Sequence, residues 1–162
     1  MATAKEKKKT EPAAIEEAMT GAGVGTIDFE LIEMLFFAYR DFVSDPDAIL
    51  EKKGFGRAHH RVLHFVSRQP GMTVADLLET LKITKQSLAR VLKQLIDSGY
   101  IRQLTGPEDR RQRRLYPTLA GRELALALAE PQSRRIARAL GTTDPEVRQT
   151  VVRFLSGMRN KE

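Results

Sequence analysis

The chain has 162 residues, 41% of them hydrophobic and 30% charged, and it contains no cysteine. Domains commonly run to ~100–200 residues, so one globular unit with tails is expected, with a core that needs no staples. The absence of cysteine excludes disulfides, thiolate metal sites and thiol redox chemistry, and suits a reducing cytoplasm.

No apolar run approaches the ~20 residues needed to span a bilayer, so no membrane partner is expected. The opening MATAKEKKKTEP lacks the apolar stretch of a secretory signal, and cytoplasmic localisation is expected. Residues 1–25, rich in lysine and glutamate and ending in GAGVG, read as a flexible basic arm. The formal charge is +6, from 27 basic and 21 acidic residues. Between Lys85 and Arg114 stand eight basic and three acidic residues, so that stretch alone carries +5. Such concentration points to a nucleic-acid surface.

Apolar residues recur at Phe29, Ile32, Phe36, Tyr39 and Val43, the spacing of one helix face. Leu31, Leu35 and Phe42 widen that stripe beyond the needs of one small core. This helix is expected over 28–45, with SDPDAILEKKGFG as a connection punctuated by Pro46 and two glycines. A second helix fits about 57–68, burying Val62, Leu63, Phe65 and Val66. Thr73 and Asp76 have the spacing of a capping box and open a short helix with Val74, Leu77, Leu78 and Leu81 inward. After a turn at Lys82 and Ile83, Thr84 caps a helix running to about Ser98. Leu88, Val91, Leu92, Leu95 and Ile96 form its buried side, and Lys85, Gln86, Ser87, Arg90, Lys93 and Gln94 its outer face. Gly99 closes it.

YIRQLT alternates as a strand does, GPEDRRQR forms a polar tip, and RLYPT returns, which predicts a β-hairpin with Pro117 at a strand end. Beyond it, LAGRELALALAE is helical, and Pro131 is expected to kink or restart that helix. Asp144 followed by Pro145 opens the last helix. That helix presents Val147, Val151, Phe154, Leu155 and Met158 on one side.

Two short helices joined by a tight turn, the second polar on its outer face, form a helix-turn-helix. A helix fits the ~12 Å major groove, where glutamine and arginine pair with base edges and serine, threonine and lysine hold phosphates. The hairpin tip DRRQRR places four arginines in six residues. An arginine on a thin loop can enter the minor groove, where A·T-rich sequence deepens the negative potential. The expected fold class is therefore mainly α with a small β-hairpin wing, a winged helix-turn-helix with flanking dimerisation helices. The candidate DNA-binding residues are Thr84, Lys85, Gln86, Ser87, Arg90 and Lys93 on the helix, with Asp109, Arg110, Arg111 and Arg113 at the tip.

The order of elements and the wing pattern D-x-R-x-x-x-[VL]-x-L-T-x-x-G, matched at Asp109, Arg111, Leu115, Thr118 and Gly121, resemble the MarR family of transcription regulators. The resemblance covers about 28–159 and departs at Pro117, where the family usually has leucine. It implies one unit over 26–160, with dimerisation helices 28–45 and 119–159 around a winged helix-turn-helix over 56–118. It also implies transcription control that responds to a small-molecule effector. On this resemblance Arg111 enters the minor groove, Asp109 orients the tip, and Lys85, Gln86, Ser87 and Arg90 meet the major groove or its phosphates. The family's effector cleft would fall on Phe36, Tyr39, Arg40, His60 and His64.

A dimer is expected on physical grounds as well, because the terminal helices carry more apolar surface than a winged core covers. Its interface would use Phe29, Ile32, Val151, Phe154, Leu155 and Met158. Two-fold symmetry would set two recognition helices about 34 Å apart, on a pseudo-palindrome. His60 and His64 at i, i+4, with Glu51 nearby, suggest zinc only weakly, since further ligands are missing, and no metal or cofactor is expected. An enzyme is not expected: no nucleophile stands at a suggestive spacing from a base, and GAGVG lacks a preceding strand. The reading from a different class is a ligand-independent architectural DNA binder or protein-assembly module.

Overall fold

A computed structural model describes residues 12–20, 27–107, 111–141 and 143–160. In chain order the helices and strands are α1 (Pro12–Thr20), α2 (Phe29–Glu51), α3 (Arg57–Arg68), α4 (Val74–Leu81) and α5 (Lys85–Asp97). These are followed by β1 (Ile101–Thr105), β2 (Arg113–Pro117), α6 (Leu119–Leu140) and α7 (Pro145–Gly157). The fold class is as expected: mainly helical with one antiparallel hairpin. The chain divides into two units, Met1–Asp41 and Phe42–Glu162.

The first unit holds α1, which lies within the stretch read as an arm, and the opening turns of α2. Asp28 caps α2, its carboxylate accepting the Leu31 N–H at 3.0 Å. Leu31, Met34, Phe36, Phe37 and Tyr39 are all exposed along this segment.

In the second unit α2 continues past Val43 to Glu51, so the connection expected from Ser44 onward is helical for its first two turns. Pro46 lies inside the helix and is buried. Proline removes the N–H that would pair with the carbonyl four residues back, here Phe42. The side-chain amide of Gln132, on α6, donates to that carbonyl at 3.3 Å. Beside it Arg135 pairs with Asp45 at 2.9 Å. A partner ninety residues away thus satisfies the group that proline orphans. α6 likewise passes through Pro131 without restarting.

The core is one cluster built from Leu50, Leu63, Leu77, Leu88, Leu95 and Leu128 with their neighbours, all fully or nearly fully buried. Each such side chain contributes roughly 1.5–3 kcal/mol relative to exposure. The ends of the helices are tied locally. Thr73 and Asp76 make the reciprocal capping box, at 3.1 and 2.8 Å, and this bonding holds the Asp76 carboxyl below its ordinary pKa. At the end of α5, Gly99 adopts a left-handed φ of 77°. Its N–H bonds to Ile96 O and that of Tyr100 to Leu95 O, the paired bonds that turn a helix end into a strand.

β1 and β2 pair with Ile101 opposite Pro117 and Thr105 opposite Arg113, so Pro117 stands at the strand end. The segment 71–73 adds an isolated β-bridge to β2. The Gly71 N–H donates to Leu115 O at 2.7 Å, Leu115 N–H donates to Met72 O at 3.0 Å, and Thr73 bridges Arg114. It precedes α4 and is too short to show a period of two, so the sequence pattern does not reveal it. The hairpin is thereby anchored to the start of the helix-turn-helix.

At the chain end every residue of α7 is exposed, including Val151, Phe154 and Leu155. A 13-residue helix is marginal alone in water, and among the described residues nothing buries any side chain of this one.

Candidate nucleic-acid interface

The turn between α4 and α5 depends on Lys82, which caps α4 in the left-handed region at φ 50°. Thr84 then opens α5. Its hydroxyl oxygen accepts the Ser87 N–H at 3.1 Å, and its O–H donates to Ser87 Oγ at 2.9 Å. Thr84 and Ser87, both assigned to DNA from the sequence, therefore also engage each other, and the primary work of Thr84 is the cap. Lys85, Gln86 and Arg90 are exposed and make no hydrogen bond or ion pair among the described residues. Lys93 pairs with Asp97 one turn on, which neutralises the far end of the helix. The side-chain oxygen of Gln94 lies 2.7 Å from His59 on α3. The free cationic and amide groups of α5 thus concentrate on its first two turns.

The wing continues the basic surface. Arg113 bonds Thr105 across the hairpin at 3.2 Å, and Arg102 lies over the Tyr116 ring at 5.6 Å. Arg111 is exposed. Asp109 and Arg110 lie outside the described residues. Where the hairpin returns to α6, Thr118 caps the helix by accepting the Gly121 N–H at 3.0 Å while donating to Gly99 O at 2.6 Å. The Thr118 N–H also bonds Tyr100 O at 3.0 Å. These bonds lock the end of α5, the base of the wing and the start of α6 into one piece.

The five residues expected at an effector cleft are divided between the two units. Phe36, Tyr39 and Arg40 belong to the first unit, where Arg40 bonds Asp41 at 2.8 Å and lies over Phe37. In the second unit a hollow of about 280 Å³ opens between α3 and α6, and of the five only His64 lines it. Its other walls are Ser67, Arg68 and Arg122 over a floor of Ala125 and Leu126. Ser67 Oγ is buried there with no hydrogen-bond partner among the described residues. The sequence pattern does not reveal Ser67, Arg68 and Arg122, because they meet only when α3 packs on α6. Among the described residues no three histidine, aspartate or glutamate side chains gather as a metal site.

Burial, and then the neighbouring charge of His64, lowers the pKa of His60 below 6.5, against an opposing pull from Asp47. Burial and Arg68 lower that of His64. Both rings are therefore harder to protonate folded than unfolded. Their contribution to stability is complete above about pH 6.5 and is lost as pH falls through the folded values. The melting temperature is expected to fall on acidification below that point. His60→Gln should flatten the slope, and an unchanged slope would show that burial does not set it.

Two helices, a left-handed turn and a tethered hairpin define a winged helix. The chain belongs to the MarR family of transcription regulators. Residues 53–112 match the MarR family model. The chain is 47% identical over 115 residues to the HTH-type transcriptional regulator PetP of Rhodobacter capsulatus, an alignment covering 71% of this chain and 69% of that protein. Among solved structures, Streptococcus pneumoniae FabT in complex with DNA is similar at a TM-score of 0.69 and 18% identity, over 81% of this chain and 94% of that one. A MarR protein from Peptoclostridium difficile is similar at 0.66 and 22%, over 84% and 89%.

Proposed function

We propose that this protein regulates transcription as a cytoplasmic homodimer bound to a pseudo-palindromic operator and controlled by a small-molecule effector. The observation that carries the reading is the unengaged set Lys85, Gln86 and Arg90 on the first two turns of α5. A helix end that offers an amide, a guanidinium and an ammonium to solvent suits a groove walled by phosphates and floored by base edges. FabT, similar in fold, is solved in complex with DNA, which supports the same use of the fold here.

The further DNA-contacting residues are Thr84, Ser87 and Lys93 on the helix and Arg111 and Arg113 on the wing, with Asp109 and Arg110 at the tip. Arg111 is the residue assigned to the minor groove. The exposed apolar faces of α7 and of the start of α2, including Ile32, support a two-fold interface that also uses Phe29, Val151, Phe154, Leu155 and Met158. The α3–α6 hollow, with its two arginines and its buried Ser67 hydroxyl, is where the effector binds. Residues 1–25 then serve as an arm outside the 26–160 unit.

A ligand there acts by favouring one spacing of the two recognition helices over another. Moving the population from largely bound to largely released requires about 10⁴-fold preference for one state.

The test is selection of bound fragments from genomic DNA by purified protein at two salt concentrations. A single pseudo-palindromic motif that survives the higher salt is the expected result. Binding without a motif, lost steeply with salt, would instead indicate phosphate-driven architectural association. Arg90→Ala is expected to cost ~1–3 kcal/mol and relax specificity at one position if the guanidinium reads a base. If it contacts phosphate alone, all sequences weaken alike and the salt slope falls by about one.

A further inference from the structure

A recognition helix can use only those donors and acceptors that the rest of the protein leaves outward. Gln94 is exposed in the third turn of α5, following Gln86 and Arg90 at intervals of four residues along one side. Its side-chain oxygen is 2.7 Å from His59 Nε2. His59 lies in the first turn of α3, stacked on Phe55 at 4.6 Å, and Phe55 in turn meets Tyr100 edge-on. The other ring nitrogen, Nδ1, accepts the backbone N–H of Gly56 at 3.1 Å, a bond that closes the open end of α3.

The Gly56 bond settles the chemistry of the contact. A ring nitrogen that accepts a hydrogen bond carries no proton, so the imidazole proton is on Nε2. Nε2–H therefore donates, and only the oxygen of the Gln94 amide can receive it. The amide nitrogen, with both its hydrogens, is left facing away from His59.

We infer that His59 is a positioning residue for DNA binding: by holding the Gln94 oxygen toward α3 it turns the amide N–H₂ outward, so that Gln94 meets DNA as a donor. Its target is then an acceptor, either a phosphate oxygen at the groove edge or a base-edge acceptor such as guanine O6 or N7. The paired donor–acceptor contact that an unrestrained glutamine makes with adenine is disfavoured, because the oxygen is turned toward His59 rather than set beside the N–H₂ on the base edge. The inference rests on α5 being the recognition helix.

Two measurements test it. In wild-type protein with ¹⁵N-labelled histidine, long-range ¹H–¹⁵N spectra are expected to show His59 protonated at Nε2 and bare at Nδ1. The opposite tautomer overturns the inference without any variant having to fold. The second measurement is a cycle of His59→Ala, Gln94→Ala and the double variant. Each binds a duplex that the wild-type protein has selected from a random pool, and an unselected duplex of equal length.

Each single change is expected to weaken binding about five- to tenfold, and the double no more than either, because His59 acts through Gln94. A merely structural contribution of His59 would persist in the Gln94→Ala background, so additive losses overturn the inference, as does no loss from His59→Ala. A loss equal on both duplexes identifies phosphate as the acceptor, and a loss confined to the selected duplex identifies a base; both uphold the donor assignment. If Arg90→Ala and Gln86→Ala leave binding intact, the reading of α5 itself fails. If they weaken it while the cycle is additive, only the His59–Gln94 coupling fails.

Discussion

Gly121→Ala is expected to destabilise the protein by about 1–3 kcal/mol or more, the cost of overpacking a close contact. An added Cβ would stand 2.0 Å from the Tyr100 carbonyl oxygen and 3.0 Å from its carbon. Neither neighbour is the movable end of a side chain. Tyr100 O is also the acceptor for the Thr118 N–H, so shifting it away pulls on the joint between wing and α6. Gly157 is the control, since a Cβ there meets nothing within 4 Å. Urea unfolding of the two variants should show a large drop in midpoint for Gly121→Ala and little change for Gly157→Ala. Equal midpoints would mean that the α6 start relaxes freely, and that the glycine of the wing pattern is not there for this close approach.

Leu155→Glu carries the second large effect, on assembly rather than folding. Leu155 is 50% exposed within the chain, on a helix with no buried residue. In the proposed dimer each protomer buries the remaining exposed half of this side chain, at roughly 0.75–1.5 kcal/mol each. Two-fold symmetry doubles the loss, so the dissociation constant should rise by about 10–10²-fold. The desolvation of two carboxylates adds to it. Sedimentation at micromolar concentration is expected to show monomer for the variant and dimer for the wild type. DNA binding by the variant should fall to that of a single half-site. An unchanged dimer mass would move the interface off the α7 face.

The boundaries of the helices were legible wherever the deciding interaction lies within one turn. The Thr73–Asp76 capping box, Thr84 before α5, Gly99 after it, and Asp144 with Pro145 before α7 all sit where the residue types place them. Each cap joins groups two to five residues apart, so the local sequence contains both partners. The outer face of α5 was legible for the same reason: Leu88, Val91, Leu92 and Leu95 define its buried side and leave Lys85, Gln86 and Arg90 opposite. Pro46 misled because its local effect is real but is compensated from a distance by Gln132.

Composition, the concentration of charge between Lys85 and Arg114, and the spacing of caps and apolar faces by themselves determined that this is a winged helix with a basic reading surface. Those features need only the 3.6- and 2-residue periods and the chemistry of near neighbours. Tertiary structure alone decided that α2 runs through Pro46, that residues 71–73 bridge to β2, and that Ser67, Arg68 and Arg122 share a hollow. It also decided that His59 holds the Gln94 oxygen. In each case the partner groups lie on different elements, and a one-dimensional pattern carries no record of which helix another will pack against.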